Sequence, residues 1–468
     1  MQYQLNIAGP HYELLKQHLL PGDGKEAVAV ALCGRYKNDQ VTKLLVHQVE
    51  VIPYEECDRG GDYVHWRTER ILPLLEKASE LNLSLLKIHS HPGGYYDRFS
   101  EVDDESDLRL FPSVFGWMND DEPHASAIML PDGKIIGRVF FPDNSHLYLD
   151  KVVLVSDQIQ IWNSQQNFSQ VEESGRRTAQ AFGEGTYRQL KELRIGVVGC
   201  SGTGSPVIEQ LARYNVGELV IIDPDRVEHK NLNRILNSSA TDAAQHRLKV
   251  DVLADAVERI GLGTKVRRYA VNLYDNHEAL LDLAGCDILI GCMDSVDGRH
   301  LLNQLATFFL IPYIDVGVKL EADGHGSVDK IVGTVHYLQP GRSSLLSRKV
   351  YDPEDLRAAG TYRQNPEMFP ELAKNAYIRN INVDRPAVIS VNMTYASFAV
   401  NELLNRLHPF RTESPKQYAR SMIDLTEMCI ITESESDFER DIYLAKRIGK
   451  GDSGALFLEM PELSVLTL

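Results

Sequence analysis

The alternation of hydrophobic and polar positions changes character once along the chain. Up to about residue 155, short apolar runs such as residues 27–33 and 83–88 are separated by Gly, Pro, Asn and Asp turns. Helical patterns at residues 11–20 and 66–81 interrupt these runs. The first part therefore predicts an α+β domain.

From about residue 193, apolar strands and helical patterns alternate regularly. The runs IGVVG, ELVIID and DILIGCMD are almost continuously apolar, and each precedes a helical segment. Strands of this kind are buried on both faces, which predicts an α/β domain with a doubly wound parallel sheet. We predict an α+β domain at residues 1–155, a polar linker with an entry helix at 156–190, the α/β domain at 191–410, and a strand-rich extension at 411–468.

Composition limits the classes of protein that fit these patterns. With 468 residues, 43% hydrophobic and 25% charged, the chain suits two globular domains. It has no uncharged apolar run long enough for a membrane span and no signal-peptide pattern. Six scattered cysteines favour a reducing compartment, and a net charge of −17 disfavours nucleic acid and anionic membranes as partners. We therefore predict a cytoplasmic protein that must bind any anion through a local cationic cluster.

A metal-binding pattern lies in the segment LKIHSHPGGYYDRFSEVDDESD at residues 86–107. His89 and His91 follow a strand two residues apart, so an extended backbone directs both imidazoles to one side. Asp103 lies three residues after Ser100, in the first turn of a predicted helix. Two imidazoles and one carboxylate leave the fourth position of a tetrahedral Zn²⁺ open for catalysis.

HSHP followed by S-x-x-D resembles the motif of the JAB/MPN metalloprotease family. The resemblance implies a zinc isopeptidase that cleaves after the C-terminal glycine of ubiquitin-like proteins, with Glu26 in KEAVAVALCG as general base and Ser100 stabilising the oxyanion. The gap between His91 and Ser100 is one residue longer than the commonest form, so Asp104 is an alternative ligand. A relative that kept the fold but lost activity is the competing interpretation.

A phosphate-binding pattern opens the second domain. Gly199, Gly202 and Gly204 in GCSGTG follow a strand and begin a helix, where backbone amides and the helix dipole favour phosphate. Ser201 replaces the middle glycine of the dinucleotide fingerprint, and glycines at such a turn also serve packing alone.

Further polar residues make up a set suited to ATP. Asp223 ends the second strand of this domain, where a carboxylate can accept hydrogen bonds from ribose hydroxyls. The other candidates are an amide and two cations for the triphosphate and a carboxylate for Mg²⁺: Asn231, Arg234, Lys249 and Asp294.

The series D-x-D-x-V-x-x-x-N-L-N-R, with the later Lys and Asp, resembles the ThiF/MoeB/ubiquitin-activating superfamily. The resemblance implies a Rossmann-like adenylation domain in which Asp223 binds ribose, Asn231, Arg234 and Lys249 hold the phosphates, and Asp294 binds Mg²⁺. It also implies a homodimer through the adenylation domain, with Arg176 or Arg177 reaching the ATP of the partner subunit. The implied product is an acyl-adenylate on the C-terminal glycine of a ubiquitin-like or sulfur-carrier protein.

Two departures concern cysteine. The place of a paired CxxC motif reads QPGRSSLLSR, so we predict no second zinc, and no cysteine lies between Cys292 and Cys429 where relatives carry a thioester nucleophile. Three alternatives remain. The chemistry stops at the adenylate, which we prefer, or Cys429 forms a thioester, or a serine forms an oxyester. The candidate serines are Ser343, Ser344 and Ser347.

These features lead to one leading hypothesis and three alternatives. The leading hypothesis is a bifunctional enzyme that processes and activates one ubiquitin-like protein, as in bacterial ubiquitin-like conjugation operons, with a conjugating enzyme as a further partner. The first alternative is sulfur-carrier activation in cofactor or metabolite biosynthesis. The other two are a scaffold without chemistry and a nicotinamide-dependent oxidoreductase, which leaves Arg234, Lys249 and Asp294 without a role.

Overall fold

A computed structural model describes residues 1–94, 97–118, 120–164, 170–323, 325–364 and 386–451. These residues form two compact units. The described residues within 1–164, 307–310 and 445–451 belong to the first unit, and those within 170–306 and 311–444 belong to the second.

The first unit is built on a mixed sheet of nine strands, which follow the order β11-β10-β1-β3-β2-β6-β7-β8-β9. In chain order the strands of this unit are β1 (Gln2–Ala8), β2 (Val28–Lys37), β3 (Val41–Val51), β4 (Cys57–Arg59), β5 (Val64–Trp66), β6 (Ser84–Ser90), β7 (His124–Met129), β8 (Ile135–Phe140), β9 (His146–Tyr148), β10 (Lys151–Val155) and β11 (Ile159–Asn163). Strands β4 and β5 form a separate small hairpin. The helices are α1 (Gly9–Leu19), α2 (Leu72–Leu81) and α3 (Glu101–Met118).

Apolar side chains of β2 point alternately to the two faces of the sheet, and both faces are covered by an apolar core. Ala29 and Ala31 join one apolar core with Leu15 of α1, whereas Val28 and Val30 join a second core on the opposite face. Residues from α2 and α3 complete the second core, because successive side chains of a strand point to opposite faces. The α+β class predicted for this part is confirmed by the arrangement.

The predicted linker at 156–190 contains one more strand of the first unit. Strand β11 pairs antiparallel with β10, from Val155 opposite Ile159 to Lys151 opposite Asn163. The segment IQIWN is polar enough to look like a linker, but Ile159 is buried against the sheet and edge strands need only one apolar face. The sheet therefore extends beyond the predicted boundary at residue 155.

The second unit contains an eight-stranded sheet in the order β14-β13-β12-β15-β16-β17-β18-β19. Its strands are β12 (Arg194–Val198), β13 (Glu218–Ile222), β14 (Lys265–Tyr269), β15 (Ile288–Gly291), β16 (Tyr313–Ala322), β17 (Val328–Leu338), β18 (Arg420–Asp424) and β19 (Cys429–Glu433). The helices are α4 (Arg176–Glu192), α5 (Gly204–Arg213), α6 (Ala240–Ala244), α7 (Lys249–Ile260), α8 (His277–Ala284), α9 (Val296–Phe308), α10 (Pro353–Gln364) and α11 (Ile389–Leu407).

The parallel part of this sheet confirms the doubly wound prediction. Strand β12 pairs in parallel with β13 on one side and with β15 on the other. The chain runs outward from β12 through β13 to β14 and then returns to β15, so strand order reverses beside β12. Ligands bind in open α/β sheets at the carboxyl ends of the strands where this reversal occurs.

The antiparallel part of the sheet shows that the predicted extension is not a separate element. Strand β18 pairs with β17, and β19 pairs with β18, so residues 420–433 of the predicted extension continue the sheet of the second unit. Residues 445–451 of the extension belong to the first unit. Within the ranges that the structure covers, no helix is both long and apolar enough to cross a membrane.

Candidate metal centre and candidate nucleotide site

Three side chains of the first unit converge at the carboxyl end of β6. The Nε2 atoms of His89 and His91 are 3.2 Å apart. His89 Nε2 lies 2.8 Å from Asp103 Oδ1, and His91 Nε2 lies 3.4 Å from Asp103 Oδ2. All three residues are buried, and their donor atoms fit a metal-binding group.

The local fold explains this convergence. His89 is near the end of β6 and His91 follows it, while Asp103 lies in the first turn of α3. Ser100 accepts a hydrogen bond from the Asp103 amide at 3.2 Å, and its own amide donates to Asp103 Oδ2 at 2.7 Å. This reciprocal capping box fixes the Asp103 carboxylate at the start of the helix.

The donor set fits zinc. Ligands bound tetrahedrally at zinc's usual bond lengths are separated by roughly 3.3 Å, close to the spacing of these three atoms. Burial lowers the pKa of His89, which keeps its imidazole neutral, as a metal ligand must be. Burial alone would raise the pKa of Asp103, but hydrogen bonds from His89 and His91 hold it well below its usual range.

The alternative ligand Asp104 lies outside this group. Its carboxylate instead pairs with the guanidinium of Arg138 on β8. One residue along a helix turns the side chain by about 100°, so Asp103 and Asp104 cannot face the same point. Ser100 donates its hydroxyl hydrogen bond to Asp103 at 2.8 Å, and its oxyanion role stays a prediction.

Glu26 lies beside this cluster, just before β2. Ala27 donates from its amide to Ser90 Oγ at 3.0 Å and accepts a hydrogen bond from the Ser90 amide at 3.0 Å. These contacts join the Glu26 loop to the residue between the two histidines. Burial raises the pKa of Glu26 to about 7, opposed by the charge of His91 and reinforced by that of Asp103. A carboxyl group that titrates near neutrality is suited to general-base chemistry.

Arg59, which the sequence analysis missed, holds the loop that carries Glu26. Its Nε donates to the Glu26 carbonyl at 2.6 Å, and its Nη1 lies 3.1 Å from an Asp23 carboxylate oxygen. The guanidinium stacks 4.1 Å from the ring of Tyr54, and the Glu26 amide donates to Gly60 at 2.7 Å. The β4–β5 hairpin thus fixes both backbone groups of Glu26.

A buried ion-pair network holds α3 against the sheet. Asp107 is fully buried and accepts hydrogen bonds from Lys87 Nζ at 2.7 Å and Arg138 Nη2 at 2.8 Å. Lys87 lies two residues before His89 on β6, and Asp107 lies four residues after Asp103 on α3. The network therefore joins the two elements that carry the metal-binding residues.

In the second unit, the glycine-rich loop connects β12 to α5. Gly199 has φ +96°, and a Cβ there would lie 2.6 Å from the Cys292 carbonyl oxygen. A Cβ on Gly204 would lie 1.7 Å from the carbonyl oxygen of Gly199. Backbone packing alone requires glycine at these two positions. At Gly202, in contrast, a Cβ would meet side chains, the nearest being Nδ2 of Asn392 at 2.2 Å and Cδ of Arg234 at 3.1 Å.

Asp223 and Lys249 meet beside this loop. Asp223 follows β13, and its Oδ2 accepts a hydrogen bond from the Cys200 amide at 2.7 Å. Lys249 opens α7, and its Nζ lies 3.6 Å from Asp223 Oδ1 and 2.7 Å from Asp225 Oδ2. Asp225 is a second carboxylate at this site that the sequence analysis did not select.

Asn231 and Arg234 lie on the segment that follows β13. Asn231 is buried and accepts a hydrogen bond from the Glu228 amide at 3.0 Å, so its side chain closes a turn of this segment. Arg234 Nη1 donates to the Lys230 carbonyl at 2.9 Å, and its Cδ approaches Gly202. The structure therefore brings Arg234 to the glycine-rich loop.

The three remaining candidate residues, Asp294, Arg176 and Arg177, are all exposed. Asp294 is exposed on the loop after β15, two residues beyond Cys292, whose carbonyl borders Gly199. Arg176 and Arg177 are exposed in the first turn of α4. Their role at a partner subunit's ATP stays a prediction.

The serines proposed for an oxyester have structural partners. Ser343 and Ser344 are buried: Ser343 Oγ accepts from Arg348 Nε at 2.8 Å, and Ser344 Oγ donates to Asp441 at 2.6 Å. Ser347 Oγ accepts from the Ser344 amide at 2.9 Å. These hydrogen bonds favour a structural role for the three serines over a nucleophilic one. Cys429 is exposed at the start of β19. Relatives that form a thioester carry its nucleophile in a segment that we expect at residues 339–384, of which residues 365–384 lie outside the described residues.

The model of the ThiF family matches residues 175–433, so it leaves the metal-binding cluster outside. The chain is 32% identical over 140 residues to the adenylyltransferase and sulfurtransferase UBA4 of Meyerozyma guilliermondii, covering 30% of this chain and 32% of that protein. It is 27% identical over 171 residues to the ubiquitin-like modifier-activating enzyme 5 of Bombyx mori (34% and 41% covered). It is 31% identical over 167 residues to the SAMP-activating enzyme E1 of Haloferax volcanii (34% and 53% covered).

The chain thus spans about a third to a half of the length of these curated relatives. Among solved structures, E. coli MccB with ATP is 18% identical with a TM-score of 0.43, covering 60% of this chain and 75% of that one. PaaA is 17% identical with a TM-score of 0.40, covering 59% and 78%. Similarity with such low identity and TM-scores supports no conclusion beyond the family match.

Proposed function

The chain belongs to the ThiF family, and from this premise we propose that its second unit adenylates the C-terminal glycine of a ubiquitin-like or sulfur-carrier protein. The observation that carries the proposal is the meeting of Asp223 and Lys249 beside the glycine-rich loop, at the point where strand order reverses. The named relatives include enzymes of both substrate types.

The proposed reaction joins the substrate carboxylate to AMP. A carboxylate oxygen attacks the α-phosphorus of ATP, the bond to the β-phosphate oxygen breaks, and pyrophosphate leaves. Asp223 accepts hydrogen bonds from the ribose, while Asn231, Arg234 and Lys249 bind and neutralise the phosphates. The Asp294 carboxylate would hold Mg²⁺, which would neutralise further phosphate charge when bound.

ATP–pyrophosphate exchange with a purified ubiquitin-like protein tests this proposal. We expect exchange that depends on the protein substrate and falls by about 10²-fold or more in Lys249→Ala, since a cation facing developing phosphate charge is removed. Lys265→Ala, at an exposed lysine on β14, is the matched control and should exchange normally. Equal exchange by the two variants, or hydride transfer to a nicotinamide in place of exchange, contradicts the proposal.

For the first unit we propose a zinc-dependent isopeptidase of the JAB/MPN type. The observation that supports it is the convergence of His89, His91 and Asp103 beside the buried carboxyl group of Glu26. Zinc held by these three residues would supply Lewis-acid activation of the attacking water. The Glu26 carboxylate takes a proton from that water and returns it to the leaving amine nitrogen. The Ser100 hydroxyl, which donates to Asp103 in this structure, turns to donate to the oxyanion.

Metal content and cleavage of a ubiquitin-like fusion test the second proposal together. We expect about one Zn²⁺ per chain, loss of both metal and cleavage in His89→Ala, and no change in His146→Ala, which alters an exposed histidine of the same unit. Stoichiometric zinc in His89→Ala, or cleavage that survives complete chelation, contradicts this assignment.

The two activities fit one substrate in sequence. Hydrolysis after a C-terminal glycine exposes the carboxylate that adenylation consumes, so the first unit would supply the substrate of the second or remove the modifier from targets. We propose a conjugating enzyme as further partner and a homodimer through the adenylation domain. Sulfur-carrier activation is the second candidate, supported by relatives named as adenylyltransferase and sulfurtransferase. Co-purification from the native host, followed by mass spectrometry of the bound protein, separates the two candidates.

The adenylate is proposed to be the final product of this chain. Ser343 and Ser344 are buried in framework hydrogen bonds, which supports this choice over an oxyester. Incubation with ATP and the ubiquitin-like protein should give no covalent adduct. An adduct that dithiothreitol removes, and that Cys429→Ala lacks, would instead establish a thioester.

A further inference from the structure

The first half of helix α11, up to Ala399, buries one amide among apolar side chains. Val391, Tyr395, Ala396 and Ala399 are all buried on this helix, which packs along α5. Asn392 is 5% exposed and lies among them. An amide in such a place loses its hydration and needs a hydrogen-bond partner in return.

The side chain of Asn392 points at the glycine-rich loop. A Cβ on Gly202 would lie 2.2 Å from Asn392 Nδ2, so the amide occupies the space that glycine leaves open. The Cδ of Arg234 approaches the same point to 3.1 Å. Two polar side chains from distant parts of the sequence therefore converge on one face of Gly202.

No hydrogen-bond partner for the Asn392 amide lies within the residues that the structure describes. The contrast with Asn231 is informative, since that buried amide accepts a hydrogen bond from the Glu228 backbone. Elsewhere in the same region, Asn233 Nδ2 donates to the Ala387 carbonyl at 2.9 Å and joins the Arg234 segment to the chain before α11. Asn392 is thus held in place while its amide remains available to a ligand.

We infer that Asn392 is a further nucleotide-binding residue, whose amide donates to the phosphate oxygens of ATP at Gly202. The inference rests on the proposed adenylation and extends it to a residue that no sequence motif marks. A phosphate oxygen is the chemically suitable partner because the loop amides and the start of α5 already favour an anion here. Arg234 then neutralises charge on the same group that Asn392 positions.

Calorimetric titration with magnesium and the non-hydrolysable analogue AMPCPP tests this role. We expect Asn392→Leu to bind the analogue roughly 10- to 100-fold more weakly, the range for one hydrogen bond to a charged group. Asn392→Asp has nearly the same shape but adds negative charge, so it should bind more weakly still. Asn401→Leu, at an exposed asparagine of the same helix, should bind like the unchanged protein.

The possible results test this inference separately from the proposed adenylation on which it rests. Failure of the unchanged protein to bind the analogue overturns both. Normal binding by Asn392→Leu and Asn392→Asp overturns this inference alone and identifies Asn392 as a packing residue. Adenosine serves as a second probe: an equal loss of adenosine affinity in Asn392→Leu contradicts contact with phosphate. If Asn392→Leu lacks a cooperative melting transition and so does not fold, the affinity of the nearly isosteric Asn392→Asp for AMPCPP tests the inference instead.

Discussion

At the scale of single residues, the carboxyl group of Glu26 is buried beside the metal-binding cluster. Burial raises its pKa to about 7, since the charged form loses hydration. Such a group exchanges protons readily at neutral pH, whereas an exposed glutamate would be almost wholly ionised. Because Glu26 lies beside His91, this proton exchange takes place next to the metal-binding cluster.

The first prediction concerns Glu26→Gln. We expect cleavage to fall by about 10²- to 10⁴-fold, because the amide cannot take a proton, while zinc content and ATP–pyrophosphate exchange stay normal. In the unchanged protein the basic form acts, so kcat/KM should fall as pH drops below about 7. A bound cation favours the ionised form, so the midpoint lies at or below this value. A flat pH profile from 5 to 8 contradicts the assignment.

The second prediction concerns Gly202→Ala. A Cβ would collide with Asn392 Nδ2 and Arg234 Cδ, so both side chains must move from the loop. We expect roughly 10-fold or greater loss of ATP-analogue affinity, measured by calorimetry, with little change in melting temperature. Gly185→Ala is the control, because nothing lies within 4 Å of its Cβ position. Equal affinity in the two variants argues against contacts at Gly202.

At the scale of elements, the β4–β5 hairpin positions the loop that precedes β2. Arg59 contacts the Glu26 carbonyl, Asp23 and the Tyr54 ring at once. A lysine cannot reproduce these contacts, because it lacks the planar set of donors that a guanidinium offers. Arg59 therefore acts through Glu26 and is a positioning residue.

The third prediction follows from this contact. Arg59→Ala should lower kcat for cleavage about 10-fold or more and shift the acid limb of the pH profile, with zinc content unchanged. Arg59→Lys should restore only part of the rate. Arg67→Ala, at an exposed arginine near the same hairpin, is the control. A loss of rate with an unmoved pH profile would indicate general loosening of the fold and contradict the positioning role.

Helix α3 depends on the buried pairs of Asp107 with Lys87 and Arg138. Burial alone would raise the pKa of Asp107, but the charge of Lys87 and the hydrogen bonds from Lys87 and Arg138 lower it. A pKa lowered on folding stabilises the protein above the unfolded value near 4, and this stabilisation is lost as pH falls further. The helix that carries Asp103 is thus expected to loosen in acid.

The fourth prediction is that Asp107→Asn destabilises the first unit by about 3–5 kcal/mol at pH 7, since the buried Lys87 loses its carboxylate partner and Arg138 is left with Asp104. The difference in the free energy of unfolding between this variant and the unchanged protein should shrink as pH falls below about 4. All three tryptophans, at positions 66, 117 and 162, lie in the first unit, so their fluorescence reports its unfolding in urea. Glu105→Gln, on the exposed face of α3, should change little. A deficit independent of pH contradicts the ion-pair explanation.

At the scale of the whole molecule, each unit has its own sheet and its own candidate site. The metal cluster lies entirely on β6, the segment after it and α3, and the nucleotide residues lie entirely in the second unit. Among the residues that the structure describes, the two sets share no member. The two activities should therefore be separable by mutation.

The fifth prediction tests this separation. His89→Ala should abolish cleavage and keep ATP–pyrophosphate exchange, whereas Asp294→Ala should lose exchange and keep cleavage. Both activities are measured on the same preparation, so that unfolding would be seen as a double loss. Loss of both activities by either variant, with its melting temperature unchanged, contradicts independent sites.

Much of this organisation could be predicted from the sequence because it is locally encoded. The spacing of His89 and His91 follows from strand geometry, and the Ser100–Asp103 capping box is set by helix geometry. The order of apolar strands and helices specified the parallel sheet of the second unit. The predicted boundaries at 155 and 410 were less accurate, because β11 and the β18–β19 hairpin are polar edge elements whose membership depends on pairing.

What the sequence by itself determined is the chemistry available: the imidazoles and carboxylates of one segment, the glycine loop, and the charged residues that follow the strands. Only the tertiary structure decided which of these meet, and it added Arg59, Asp225 and Asn392. Asn392 reaches Gly202 across 190 positions, and no periodicity or spacing rule connects residues so far apart. Such contacts arise from helix packing and loop closure, which depend on the whole chain folding together.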